Sequence, residues 1–141
     1  MNTPITGGCA CGAIRYTCTA PPVFRLNCHC RDCQHQSGAP FISGFIVVRD
    51  ALVIEGEPRW FESTADSGHT ARRGFCPTCG TPLFSESTRS AGGTRGIGVR
   101  SASLDDPSWF APQADIFTKS AQPWVQMDPA LAMFVTSPTP R

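Results

Sequence analysis

Seven of the chain's eight cysteines stand in three tight groups. These are Cys9-Ala10-Cys11, Cys28-His29-Cys30-Arg31-Asp32-Cys33 and Cys76-Pro77-Thr78-Cys79. Sulfurs two or three residues apart can be turned by one loop onto a single ion, and zinc takes four such ligands in a tetrahedron. Seven grouped sulfurs therefore fill one closed shell and leave three over. A zinc held by those three keeps an open position for water or substrate.

The spacing also suggests which sulfurs share an ion. In Cys76-Pro77-Thr78-Cys79-Gly80 the proline fixes φ in the turn, and the glycine accepts a positive φ while backbone N–H groups point at the sulfurs. Such a knuckle supplies half a tetrahedron, and Cys9-Ala10-Cys11-Gly12 is the one isolated pair that can supply the other half. Cys9, Cys11, Cys76 and Cys79 are therefore expected to form a closed structural zinc site. Cys28, Cys30 and Cys33 are expected to hold a second, open and catalytic zinc. The competing arrangement closes this site too, with Cys18, His29 or His35 as fourth ligand. His29 lies between two ligands, which turns its side chain away from a shared metal, and Cys18 reads more simply as a small buried residue.

Charge limits what an open three-thiolate zinc can do. Zn²⁺ with three thiolates carries −1 and acidifies water less than a three-histidine site of charge +2. Soft ligands and a soft open position favour exchange with another thiolate, held there as a nucleophile. A thiol substrate fits better than water.

Strands must deliver these groups. Ala13 to Cys18 alternates, Val23 to Cys28 carries the middle group at its end, and Phe41 to Val48 is apolar enough for the core. Leu52 to Gly56 and Arg59 to Glu62 read as a hairpin turning near Gly56 to Pro58. Thr70 to Phe75 runs into the last cysteine pair and Pro82 to Ser85 runs out of it, as in a zinc ribbon. Gly96 to Leu104 reads as a late strand weakened by its glycines. Ser87 to Gly93 reads as a polar surface loop, and Trp109, Phe110, Phe117 and Trp124 as aromatics covering the sheet.

A length of 141 residues with 13 glycines, 13 prolines and no long apolar-periodic helix points to one mainly β domain with short or few helices. Its core is expected over about residues 6–124, with residues 137–141 a frayed tail. The formal net charge of +1 becomes −2 if seven thiols ionise around two divalent ions. Neither value suits a general nucleic-acid binder, although Arg72 and Arg73 form a local basic pair. The first residues lack the basic start and apolar run of a signal peptide, and no apolar stretch approaches a membrane span. A cytoplasmic protein is expected, its cysteines thiols or metal ligands rather than disulfides.

Three segments together resemble a known family. They are Gly8-Cys9-Ala10-Cys11-Gly12; Cys28 to Cys33 with Ser37-Gly38-Ala39-Pro40-Phe41; and Arg73-Gly74-Phe75-Cys76-Pro77-Thr78-Cys79-Gly80-Thr81-Pro82-Leu83. Their order is similar to that in the glutathione-dependent formaldehyde-activating enzymes, a family that includes centromere protein V-like members. The resemblance implies a β-rich, Mss4-like fold with two zinc ions, divided as the spacing divides them. It implies addition of the glutathione thiol to formaldehyde, giving S-hydroxymethylglutathione in a carbon–sulfur lyase reaction. Asp115 stands where many relatives carry histidine, so any role of that histidine is not transferred here.

The leading expectation is thus a zinc enzyme whose partners are a small thiol and a small aldehyde, with no membrane and no nucleic acid. A non-catalytic zinc module binding a protein predicts two closed sites instead. A thiol redox sensor predicts zinc loss and disulfide formation under mild oxidant. On the ligand loop, His29, Asp32 and His35 are candidates for proton handling. Arg31, Arg72 and Arg73 are candidates for pairing with a substrate carboxylate.

Overall fold

A computed structural model of the chain describes residues 3–65, 68–87 and 95–138. The polar loop expected after Ser87 lies outside the described residues, as does the tail beyond 138. Twelve regular elements matter for the site. They are β1 (Ile5–Gly8), β2 (Arg15–Cys18), β3 (Phe24–Cys28), α1 (Arg31–Ser37), β4 (Ile42–Val48), β5 (Leu52–Glu55), β6 (Arg59–Thr64), β7 (Thr70–Phe75), β8 (Pro82–Ser87), β9 (Gly96–Arg100), β10 (Ala114–Ile116) and β11 (Ala132–Met133). The fold is mainly β, as the turn-rich composition predicts. Among the described residues no helix is long and apolar enough to cross a membrane.

The strands form two sheets: a small antiparallel one ordered β1-β2-β5, and a long one ordered β11-β10-β3-β4-β9-β8-β7-β6. The expected hairpin between Leu52 and Glu62 does not form. β5 pairs with β2, Cys18 opposite Leu52, while β6 pairs with β7 in the other sheet. Leu52 is buried with Tyr16 and Cys18, whereas β6 is largely exposed. Two neighbouring strands with such different burial belong to different layers, and the segment through Pro58 carries the chain across.

Side chains alternate across each strand, so the long sheet serves two purposes. Its main core gathers Phe45, Val47, Leu83, Phe84, Ile97 and Val99 with Ile14 and Tyr16 of the small-sheet region. Phe84 lies edge-on to Tyr16 at 5.6 Å and is stacked near Trp60 at 6.2 Å between ring centroids. Burying each large side chain here is worth about 1.5–3 kcal/mol. A second apolar cluster joins Leu26, Cys28, Cys33, Ile42, Ala114 and Ile116. Trp109 and Phe110 cover the main core and Phe117 packs on the second cluster, but Trp124 is 69% exposed.

Candidate metal centres and active-site cavity

The sulfurs of Cys9, Cys11, Cys76 and Cys79 all lie within 4.8 Å of one another. Cys9 Sγ is 3.6 Å from Cys11 Sγ, which is 3.7 Å from Cys76 Sγ. Four thiolates at the usual zinc–sulfur distance stand about 3.8 Å apart in a tetrahedron. The donor set therefore fits such an ion. Gly12 (φ 82°) and Gly80 (φ 79°) both occupy the left-handed region, each just past the second cysteine of its pair. That turn lets the following backbone point inward: Ile14 N–H donates to Cys9 Sγ at 3.2 Å, and Thr78 N–H to Cys76 Sγ at 3.4 Å. Hydrogen bonds from the Thr81 hydroxyl and N–H hold the Cys79 thiol down at about 5.

The second group, Cys28, Cys30 and Cys33, also lies within 4.8 Å. No fourth histidine, cysteine or carboxylate among the described residues joins it. Cys18 is buried in the other core with its thiol on Ala20 O, and His35 Nδ1 meets Arg31 O at 3.0 Å. The ligand segment is not a loop throughout. Cys30 caps α1, its sulfur accepting from Cys33 N–H at 3.3 Å, so one atom serves both as helix cap and as candidate ligand. Asp32 and His35 lie on that helix.

His29 is the pivot of this segment and is fully buried. Its Nε2 is 2.7 Å from Asp115 Oδ1 on β10, and its ring packs on Phe41. The His29 N–H donates to Ile116 O at 3.0 Å, while Gln34 Nε2 donates to His29 O at 2.7 Å and to Ser120 O at 3.0 Å. With its side chain and both peptide groups held, His29 is turned away from the sulfurs on either side of it. This candidate for proton handling is thus buried and tied to Asp115 rather than exposed on a loop.

The three sulfurs open onto a cavity of about 900 Å³ on the long sheet, and none of the other five cysteines lines it. Gly44, Gly96 and Gly98 stand on its walls, where a Cβ would press on a neighbour: on Val99 O at 2.7 Å from Gly44 and on Ser85 Oγ at 2.5 Å from Gly98. Phe117 bounds it with φ 54°, a left-handed value rare for a bulky residue and held by Phe117 N–H on Thr136 O. Arg31, Asp32, Arg73, Glu86, Arg100 and Lys119 supply its charge. Glu86 is taken up by Arg49 and Arg95, each 3.2 Å away. In the thiol trio, hydrogen bonds from Cys28 and Cys30 hold Cys33 down at about 3 against burial, with Arg100 and Arg73 adding to the effect. Burial opposes the charge of Arg73, but Cys33, Cys30 and Asp32 together more than offset it.

Spacing had pointed to both sulfur groups. It did not point to Arg100, Gln34 or Lys119, and it treated Asp115 only as a departure from relatives. One signal for Asp115 stood in plain sight: a carboxylate between Ala114 and Ile116, in a strand where every residue is buried. Arg100 ends a glycine-rich strand and carries no such mark.

A mainly β chain that gathers one four-thiol and one three-thiol group, the latter in a cavity, is a candidate metal-binding protein of the thiolate type. The family model described as glutathione-dependent formaldehyde-activating enzyme matches residues 4–120, and the chain belongs to that family. Among solved structures the fold is similar to that of a Rhodobacter sphaeroides protein from structural genomics. The TM-score is 0.56 at 21% identity, over 71% of this chain and 87% of that one.

Proposed function

We propose that this protein is a zinc-dependent enzyme of carbon–sulfur lyase type, joining glutathione or a similar thiol to formaldehyde or another small aldehyde. The observation that carries the reading is the asymmetry of the two sulfur groups. The four-sulfur group is a complete shell outside the main cavity, whereas the three-sulfur group is one ligand short and lines that hollow, which is large enough for a tripeptide. Membership of the family supplies the two substrates.

Cys9, Cys11, Cys76 and Cys79 would hold a structural ion, and Cys28, Cys30 and Cys33 the catalytic one. When bound there, zinc supplies a soft Lewis-acid position that favours a thiol in its thiolate form. The His29–Asp115 pair and Gln34 hold the ligand segment, while the apolar wall of Leu26, Ile42 and Ile116 limits water. The substrate sulfur forms a bond to the carbonyl carbon, and the C=O electron pair moves to oxygen. The oxygen gains a proton and the thiol has lost one, so nothing is oxidised or reduced.

Cobalt substitution tests this reading. Protein loaded with two Co²⁺ should change its visible d–d bands when glutathione is added, and the Cys30→Ser variant should not. A wild-type spectrum indifferent to glutathione would leave the second group a closed or non-catalytic site.

A further inference from the structure

Arg100 ends β9 and is only 6% exposed. Its two terminal nitrogens are used on neutral groups: Nη2 donates to Gln36 Oε1 at 2.6 Å and Nη1 to Ser85 Oγ at 3.4 Å. Its Nε is buried without a partner, and so is that of Arg73 on β7. Neither guanidinium has a carboxylate within ion-pair distance among the described residues. Both line the cavity that holds Cys28, Cys30 and Cys33.

A guanidinium this deep needs counter-charge, because burial removes its hydration. The three thiolates with a divalent ion carry −1, against +2 on the two arginines. Asp32 is the acidic neighbour that acts on Arg73, and Glu86 is already engaged by Arg49 and Arg95. The cavity lining also carries Arg31 and Lys119, so its summed charge stays positive. We infer that Arg73 and Arg100 form an anion seat beside the three-sulfur centre, which holds a carboxylate of the thiol substrate. A guanidinium fork suits the planar carboxylate, and an uncharged aldehyde has nothing to offer it. The inference rests on the thiol–aldehyde reading and adds to it a substrate class: thiols bearing a carboxylate within the cavity's reach, preferred over neutral thiols.

S-Methylglutathione, whose sulfur is blocked, tests the seat without any turnover. Titrated calorimetrically into metal-loaded protein, it should bind at least about tenfold more weakly to Arg100→Gln and to Arg73→Gln, with a smaller loss in Arg100→Lys. Arg73→Gln guards against misfolding of the buried Arg100 variant, and metal content with circular dichroism confirms that each is folded. In exchange with formaldehyde, the preference for glutathione over 2-mercaptoethanol should collapse in the same variants. Unchanged binding in both folded variants, no binding to wild type, or equal loss with both thiols would overturn the seat. Binding lost in the variants while wild type speeds no exchange would uphold the seat and sink the thiol–aldehyde reading instead.

Discussion

His29 and Asp115 are each almost completely buried, and a buried hydrogen-bonding group without its partner is costly. Between two candidate ligands, His29 sets the direction in which the neighbouring sulfurs point. Removing its anchor should therefore loosen one centre selectively. Asp115→Ala should release metal from the three-sulfur group about 10–100 times faster in a chelator competition, leaving the four-sulfur group unchanged. Equal release from both centres, or release as slow as wild type, would contradict the clamp. The cysteine groups were legible at this scale because chelation imposes a spacing on the chain. The clamp was not legible, since a hydrogen bond between residues 86 positions apart leaves no local pattern.

Among the elements, β7, its knuckle and β8 bring Cys76 and Cys79 to the N-terminal pair, so the four-sulfur group ties β1 and β2 to the edge of the long sheet. Metal binding there is coupled to folding. Cys76→Ser should lower the zinc content by one per chain and depress the melting temperature by many degrees. Full zinc and an unchanged melting curve would refute the assignment. Most strands were legible from alternation, apolar runs, turn signals or the cysteine groups they flank, and β7 matches its expected span residue for residue. The partner of β5 was not, because pairing in a sheet is decided by which layer buries Leu52, and a nearby turn signal says nothing of layers. The seven residues of α1 escaped notice for a different reason: too short for an apolar period, the helix is capped by a cysteine rather than by serine, threonine, asparagine or aspartate.

Across the whole molecule, Arg15 and Thr6 hold Asp105, linking the small sheet to the segment after β9. Hydrogen bonds from Arg15, then Thr6, keep this carboxyl below its ordinary value. The folded state therefore binds its proton less readily than the unfolded chain. The stabilisation is fully present above the usual carboxylate range near 4 and is lost as pH falls through the lower folded value. The pair is exposed and screened by solvent, so its contribution is small. Asp105→Asn should thus cost a little stability at pH 7 and progressively less in thermal melts below pH 4. A penalty that persists unchanged at the lowest pH would show that the contact is not ionic.

The same scale joins the sulfur groups to the cavity, and there the central claim lies. Exchange between formaldehyde, glutathione and their adduct can be followed by NMR with zinc-loaded wild type and with Cys30→Ser, against the uncatalysed rate. Faster exchange with wild type alone is predicted, and it would place thiol–aldehyde chemistry at the three-sulfur centre. Exchange at the uncatalysed rate in protein holding two zinc ions, or equal acceleration by the variant, would contradict it.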